Sequence, residues 1–310
     1  MSTRVAQEAA PFWEILLSLQ ALQTGQGGGA FDGWRRQTRA SLGKEEFRPL
    51  LRCLLPLVPV ARYVPDFLTP SGGLEQGMET MLSTSPKRLR REMEALGTVS
   101  RLPSWTADLA AGRSPALTEL VRCLHGYFRV ALSPVWDRIE ALVNADRAIR
   151  GRALLDGGSE RLLATLGPHI RWNRPVLEVD YPTSRDLHLD GRGLLLVPSF
   201  FCWRLPIGLA DPALPPVLAY PVARDVAPAG PHLDPLLGAT RTAILGATRT
   251  SRSTGELALL LRVSAATASY HASVLRDAGL ITSRRRAKQV LHTATPLGLS
   301  LLGGQDFTGP

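Results

Sequence analysis

The residue types best suited to recognition chemistry lie near the C-terminus. Small and hydroxyl side chains come first and a basic run follows: Ser264, Ala266, Thr267, Ser269, Tyr270, His271, Ser273, Arg284, Arg285, Arg286 and Lys288. Short hydroxyls and tyrosine can reach base edges from a helix in the major groove of DNA. Guanidinium and ammonium groups can bind phosphates. These residues therefore predict a DNA-binding surface with no catalytic role.

Two short helices are predicted to position the polar residues. Ser253 is followed three residues later by Glu256, which is the capping-box spacing at a helix start. Ser264 can cap a second helix over 265–278, and Gly279 ends it where a positive φ is needed. Small apolar residues of that helix repeat at a spacing that predicts a packing face: Ala268, Ala272 and Leu275.

Two short β runs flank the basic run and predict a hairpin with a cationic tip. Segment 236–310 has nine lysine or arginine residues and three acidic ones, so it carries +6 of the chain's formal net charge of +9. Concentrated positive charge is typical of nucleic-acid binders. A basic run is also common in solvated loops, and similar helix pairs occur in protein-interaction modules. We interpret a second basic cluster at 87–91 as an exposed charged face.

The same segment resembles a known family. Its sequence is STGELALLLRVSAATASYHASVLRDAGLITSRRR, followed by QVLHTATPLG, and it is similar to the winged helix-turn-helix of ArsR-type bacterial transcription regulators. The matching pieces are 254–258, 263–271, 274–281 and 295–298, and the resemblance covers roughly 236–302. It implies a homodimer on a palindromic operator in double-stranded DNA. Arg262 departs from the pattern, because such proteins often carry a turn glycine there.

The rest of the chain changes character near residue 168. Helical periodicity dominates before this point, and short apolar runs separated by prolines follow it. We predict an α+β protein with a helical dimerisation or effector region at 1–167 and a small antiparallel β region packed on it at 168–232. The winged helix-turn-helix would occupy 233–310. A glycine-rich stretch at 25–29 follows a helix, not a strand, and is interpreted as a flexible loop without nucleotide binding.

Composition limits the compartment and the chemistry. Cys53, Cys123 and Cys202 are few and far apart, so a reducing cytoplasm without a disulfide framework is expected. No apolar run approaches the ~20 residues of a membrane helix, and the pattern of the first residues leads us to expect no signal segment. Walker, HExxH, GxSxG and CxxC motifs are missing from the sequence. We therefore expect a cytoplasmic protein that is not an enzyme, needs no cofactor and does not contact membranes.

One cluster in the predicted β region has metal-ligand chemistry. Asp186, His188 and Asp190 alternate, so they would share one face of a strand predicted at 185–190 and could begin a divalent-metal site. The competing interpretation is a solvated face opposite Leu187 and Leu189. The resemblance adds that thiolate sensors of the ArsR type carry a Cys-x-Cys pair where this chain has 257–259, Leu-Ala-Leu. No thiolate metal site is expected.

The first ~230 residues would supply dimerisation, an effector pocket, or both. Aromatic residues there could line a pocket for a small apolar effector or simply form core: Trp13, Trp105, Trp136, Trp172, Phe200, Phe201 and Trp203. The combined prediction is a ligand-responsive homodimeric repressor of ArsR type. The alternative is a protein-interaction subunit whose winged helix docks a protein partner and has no specific DNA site.

Overall fold

The computed structural model describes residues 3–60, 63–181, 184–222, 234–248, 251–261, 263–286 and 289–302, with the backbone alone at 234, 235, 286 and 300. The chain divides into two compact units, the N-terminal unit (Met1–Ala223) and the C-terminal unit (Arg224–Pro310). Each unit contains helices and strands, so the chain is a mixed α+β protein. No helix within the described ranges is long and apolar enough to cross a lipid bilayer.

The N-terminal unit is mainly helical. Its α-helices are α1 (Pro11–Thr24), α2 (Gly28–Leu42), α3 (Arg48–Leu54), α4 (Leu74–Leu82), α5 (Pro86–Val99), α6 (Thr106–Ala110), α7 (Ser114–Tyr127) and α8 (Trp136–Ala164). Shorter 3-10 or π turns lie at Glu45–Phe47, Leu55–Leu57, Asp66–Leu68, Phe128–Leu132 and Ser133–Val135. Helix α8 is kinked at Gly157 and Gly158, where the backbone leaves helical geometry. Glycine tolerates such a kink because it has no Cβ.

The strands of this unit form two small sheets. They are β1 (Thr3–Val5), β2 (Ile170–Asn173), β3 (Val176–Val179), β4 (Leu194–Ser199), β5 (Ile207–Gly208) and β6 (Val217–Pro221). The larger sheet has the order β1-β4-β6-β5, with β1 and β6 parallel to β4 and β5 antiparallel to β6. Strands β2 and β3 form a separate antiparallel hairpin.

The predicted antiparallel sheet is therefore correct for the β2–β3 hairpin and wrong for the larger sheet. Parallel neighbours need long crossover connections, and all eight helices lie between β1 and β4 in the sequence. Strand β1 has only three residues, which is too short to give a periodic signal. Its pairing with β4 brings the start of the chain into a sheet that was expected from 168–232 alone.

Both faces of β4 and β6 are buried, as is usual for parallel strands. Val197 and Ala219 pack into the large helical core, whereas Leu196 and Tyr220 pack into a smaller cluster against the end of α8. The Tyr220 hydroxyl donates to the buried Asp146 carboxylate of α8. The Arg150 guanidinium pairs with the same carboxylate over 2.8 Å. This polar group joins the sheet to α8 inside the protein.

The strand predicted at 185–190 does not form in the described segment 184–190. Two arginine side chains, one at its start and one just after its end, donate to backbone carbonyls. Arg185 donates to the Leu209 carbonyl over 2.6 Å, and Arg192 donates to the His188 carbonyl over 2.7 Å. Asp190 has a φ of 46°, which turns the chain where the strand was expected to continue. The alternation that placed three metal ligands on one face is therefore lost.

The C-terminal unit combines five short helices with one sheet in its described residues. Its elements are α9 (Asp234–Leu237), α10 (Ala239–Ala247), β7 (Arg252–Ser253), α11 (Thr254–Leu261), α12 (Ala265–Asp277), β8 (Ile281–Arg286), β9 (Gln289–Ala294) and α13 (Pro296–Leu301). The sheet is antiparallel, with the order β7-β9-β8. Ile244, Leu257, Ala272, Leu275 and Ile281 are among the buried residues that join α10, α11, α12 and β8 in one core.

Candidate nucleic-acid interface

Helix α11 begins at the predicted capping box. The Ser253 backbone N–H and hydroxyl both donate to Glu256 Oε2, over 2.7 and 2.9 Å. In return, the Glu256 N–H donates to Ser253 Oγ over 3.3 Å. These two donors, the backbone N–H first, hold the pKa of the Glu256 carboxyl below its usual value. The capping-box prediction is confirmed.

Helix α12 starts as predicted and ends at Asp277, one residue before the predicted end. The Ser264 hydroxyl accepts the Thr267 N–H over 3.0 Å at its first turn. At its end, the Gly279 N–H donates to the Arg276 carbonyl and the Leu280 N–H to the Leu275 carbonyl, both over 2.9 Å. This pair of bonds is a Schellman motif, which requires the φ of 71° found at Gly279. The backbone direction after α12 is thereby set for β8.

The two sides of α12 differ as the sequence predicted. Ala268, Ala272 and Leu275 are buried against the neighbouring helices. On the other side Ala266 and Ser269 are exposed. Tyr270 is 66 % exposed, with its ring against the edge of the His271 ring at 5.2 Å. The outer surface of α12 thus has short side chains around one accessible phenol.

Three of the predicted contact residues of α12 already have hydrogen-bond partners within the protein or are partly buried. Thr267 is half-buried, and its hydroxyl lies 2.8 Å from the Ser264 hydroxyl. The Ser273 hydroxyl accepts from Arg276 over 2.9 Å. The Nδ1 atom of the half-buried His271 is enclosed and has no hydrogen-bond partner in the described part of the chain. Ser269 and Tyr270 are consequently the most accessible polar members of the predicted set on this helix.

Strands β8 and β9 form the predicted hairpin. Its register pairs Ile281 with Ala294 at the base and Arg286 with Gln289 near the tip. Arg284 and Arg285 are exposed. The structure describes Arg286 only as a backbone position in β8, and Lys288 lies outside the described residues. The hairpin packs beside α12, so the exposed arginines and the small-residue surface belong to one unit.

His292 is a site residue that sequence reasoning missed. Its buried ring in β9 lies 2.9 Å from the Thr254 hydroxyl through Nε2 and 2.8 Å from the Ser283 hydroxyl through Nδ1. Burial first, and then the charge of Arg276, lower the pKa of His292. The neutral ring therefore links the start of α11 to the hairpin. The hairpin register, in which Ser283 faces His292, was the available signal.

Acidic groups are sparse around α12. Asp277 is the single acidic residue of this helix and lies in its last turn. The Arg276 guanidinium pairs with it over 3.1 Å. The exposed turns that precede it, including Ser269 and Tyr270, therefore contain no carboxylate. This distribution favours approach of an anionic polymer to α12 and the hairpin.

The other sequence candidates are dispersed. Asp186, His188 and Asp190 are exposed, and the described residues contain no group of three or more histidine, cysteine or acidic side chains placed to hold a metal ion. Among the aromatic candidates, Trp13, Phe200 and Phe201 are buried in the large core. Trp105, Trp136 and Trp203 are partly buried against this core, and Trp172 is partly buried against the smaller cluster. Trp203 also lines a cavity.

Comparison of the chain with models of protein families, with curated proteins and with solved structures finds no match.

Proposed function

We propose that the C-terminal unit is a winged helix-turn-helix that binds double-stranded DNA, and that the protein is a cytoplasmic transcription regulator of ArsR type. Helix α11 is the supporting helix, α12 the recognition helix and β8–β9 the wing. The sequence resemblance supplies the family and the repressor role. It also supplies the homodimer and the palindromic operator, whose half-sites would lie about 34 Å apart on one side of the duplex.

The outer surface of α12 is the observation that carries this proposal. An exposed helix without a partner usually stabilises its solvent side with charged pairs three or four residues apart. The outer surface of α12 instead has Ala266, Ser269 and Tyr270. Small residues allow the helix backbone to lie deep in a groove about 12 Å wide. Tyr270, exposed and central, is the longest side chain available there to reach a base edge.

The arginines of β8 would supply electrostatic attraction to the phosphate backbone of the DNA. Arg284 and Arg285 are exposed next to α12, and each could bind a phosphate on the backbone flanking the groove. Such contacts position the protein without reading sequence, whereas Ser269 and Tyr270 would select the site. The high positive charge of segment 236–310 agrees with this division of roles.

A second candidate function is docking of a protein partner by the same unit. Leu259 and Leu260 of α11 are 82 % and 53 % exposed, which favours a protein contact at this helix. That contact could be the second copy in a homodimer or another protein. In the second case α12 would show no base preference.

The test is selection of bound duplexes from a random pool with the full chain. We expect enrichment of an inverted repeat. Tyr270→Ala should remove the base preference at defined positions of each half-site, while Lys87→Ala, which deletes an exposed cation of α5, should leave the motif unchanged. Recovery of a pool without any enriched motif would contradict the proposal and favour the docking function.

A further inference from the structure

The N-terminal unit contains a cavity of about 890 Å³ between α1, the start of α2 and segment 203–207. Its volume is in the range of small-molecule sites. Segment 203–207 belongs to the connection that leaves the carboxyl end of β4. Because β1, β4 and β6 are parallel, their carboxyl ends share one edge of the sheet. Open parallel sheets bind ligands at this edge.

The walls of the cavity are largely apolar and aromatic. Leu17 of α1 and Ile207 of β5 line it together with the rings of Tyr181 and Trp203. The Trp203 ring is held edge-on against the buried Phe31 ring at 5.6 Å. The Arg185 guanidinium lies over the Tyr181 ring at 5.2 Å. Two anchored aromatic rings in one cavity suit a flat, apolar ligand.

The floor is built from the glycine-rich stretch that was expected to be a flexible loop. It is tied down by the buried Arg35, which donates to the Ala21 carbonyl over 3.1 Å and also to the Gln26 carbonyl. A Cβ at Gly27 would approach the Phe31 ring to 2.3 Å, so a side chain is excluded there. At Gly27, Gly28 and Gly29 a flat ligand can lie directly on the backbone.

The polar lining is cationic and amidic. Gln20, Gln26 and Arg204 line the cavity, and none of the described lining residues is acidic. Arg204 is exposed, and no hydrogen bond or ion pair joins it to another residue of the described part of the chain. A guanidinium at the mouth of an apolar cavity is suited to a carboxylate, which it can bind through two parallel hydrogen bonds.

We infer that this cavity binds a small aromatic carboxylate. Its ring would lie between Tyr181 and Trp203, and its carboxylate would face Arg204 and the two glutamines. The inference concerns the N-terminal unit alone and goes beyond DNA binding by the C-terminal unit. Either one can therefore fail while the other holds.

The experiment is calorimetric titration of the full chain, without DNA, with naphthalene-2-carboxylate and with the uncharged naphthalene-2-carboxamide. The carboxylate should bind more tightly. Arg204→Gly removes the guanidinium. The backbone at Arg204 has a φ of 62°, which glycine adopts without strain. It should weaken carboxylate binding by about tenfold or more, the value of a hydrogen-bonded charge, and leave carboxamide binding within about twofold. Arg101→Ala, which removes an exposed arginine outside the cavity, should change neither.

A second pair of variants tests whether a bulky side chain placed in the cavity blocks binding. Gly29 lines the cavity, whereas Gly33 lies one turn further along α2 and does not line it. A Cβ added at either glycine would meet open space. Gly29→Phe should abolish binding of both probes with the unfolding temperature retained, whereas Gly33→Phe should bind as wild type. The inference is overturned if wild type binds neither probe, or if binding survives both Arg204→Gly and Gly29→Phe.

Discussion

Removing the two exposed arginines of the hairpin should change how DNA binding responds to salt. Arg284 and Arg285 are exposed in β8, and no carboxylate of the described residues pairs with either. If each binds a phosphate, each releases condensed cations from the duplex when the complex forms. The double variant Arg284→Ala/Arg285→Ala should therefore bind more weakly at low salt and lose less affinity as salt is raised.

The size of the effect follows from the number of contacts. Each neutralised phosphate contributes about 0.9 to the slope of log K against log salt concentration, so two contacts contribute about 1.8. Between about 50 and 200 mM salt this slope corresponds to roughly a 12-fold loss of affinity. A homodimer with both hairpins on DNA doubles the slope, and the corresponding loss is roughly 150-fold. The double variant lacks these contacts, so its loss of affinity over the same salt range should be smaller by the corresponding factor.

The assay is fluorescence anisotropy with the duplex obtained by selection, at several salt concentrations. Lys87→Ala/Arg90→Ala is the matched control, because it removes the same charge from exposed positions of α5. Single variants at Arg284 and Arg285, whose side chains leave opposite sides of the strand, show how much of the slope each arginine contributes. An unchanged slope in the double variant, or an equal fall in the control, would refute the assignment of phosphate contacts to the hairpin.

The remaining predictions concern stability, measured by denaturation of the full chain. Because the folded state lowers the pKa of His292 below its usual 6.5, the unfolded chain takes up the proton first as pH falls. The C-terminal unit should be fully stable above pH 6.5 and melt at a lower temperature at pH 5.5, a difference that His292→Gln should reduce. Gly279→Ala should cost about 1 kcal/mol, because alanine is strained at a φ of 71°. Gly255→Ala, in a helix with open space around the new Cβ, should instead stabilise by about 0.5 kcal/mol. Asp146→Ala should cost about 3–5 kcal/mol, since it leaves Arg150 charged and unpaired in the interior.

Some long-range features could not be predicted from the sequence. The three-residue strand β1 gives no periodic signal, yet its pairing with β4 makes the larger sheet mostly parallel. The alternation of Asp186, His188 and Asp190 predicted a strand face, but the Arg192 side chain binds the His188 carbonyl and the Arg185 side chain binds the distant Leu209 carbonyl. In both cases the competing partner lies far along the chain or reaches in as a side chain, so a local pattern cannot reveal it.

The amino-acid sequence by itself determined the local features of this protein. The capping box at Ser253, the cap at Ser264 and the stop at Gly279 depend on residues within a few positions of one another, and all three have the predicted geometry. Tertiary structure decided the rest. It encloses His292 between two hydroxyls, and it assembles one cavity from residues as distant as Leu17 and Trp203. Those arrangements depend on which elements pack together, and packing is set by the whole core.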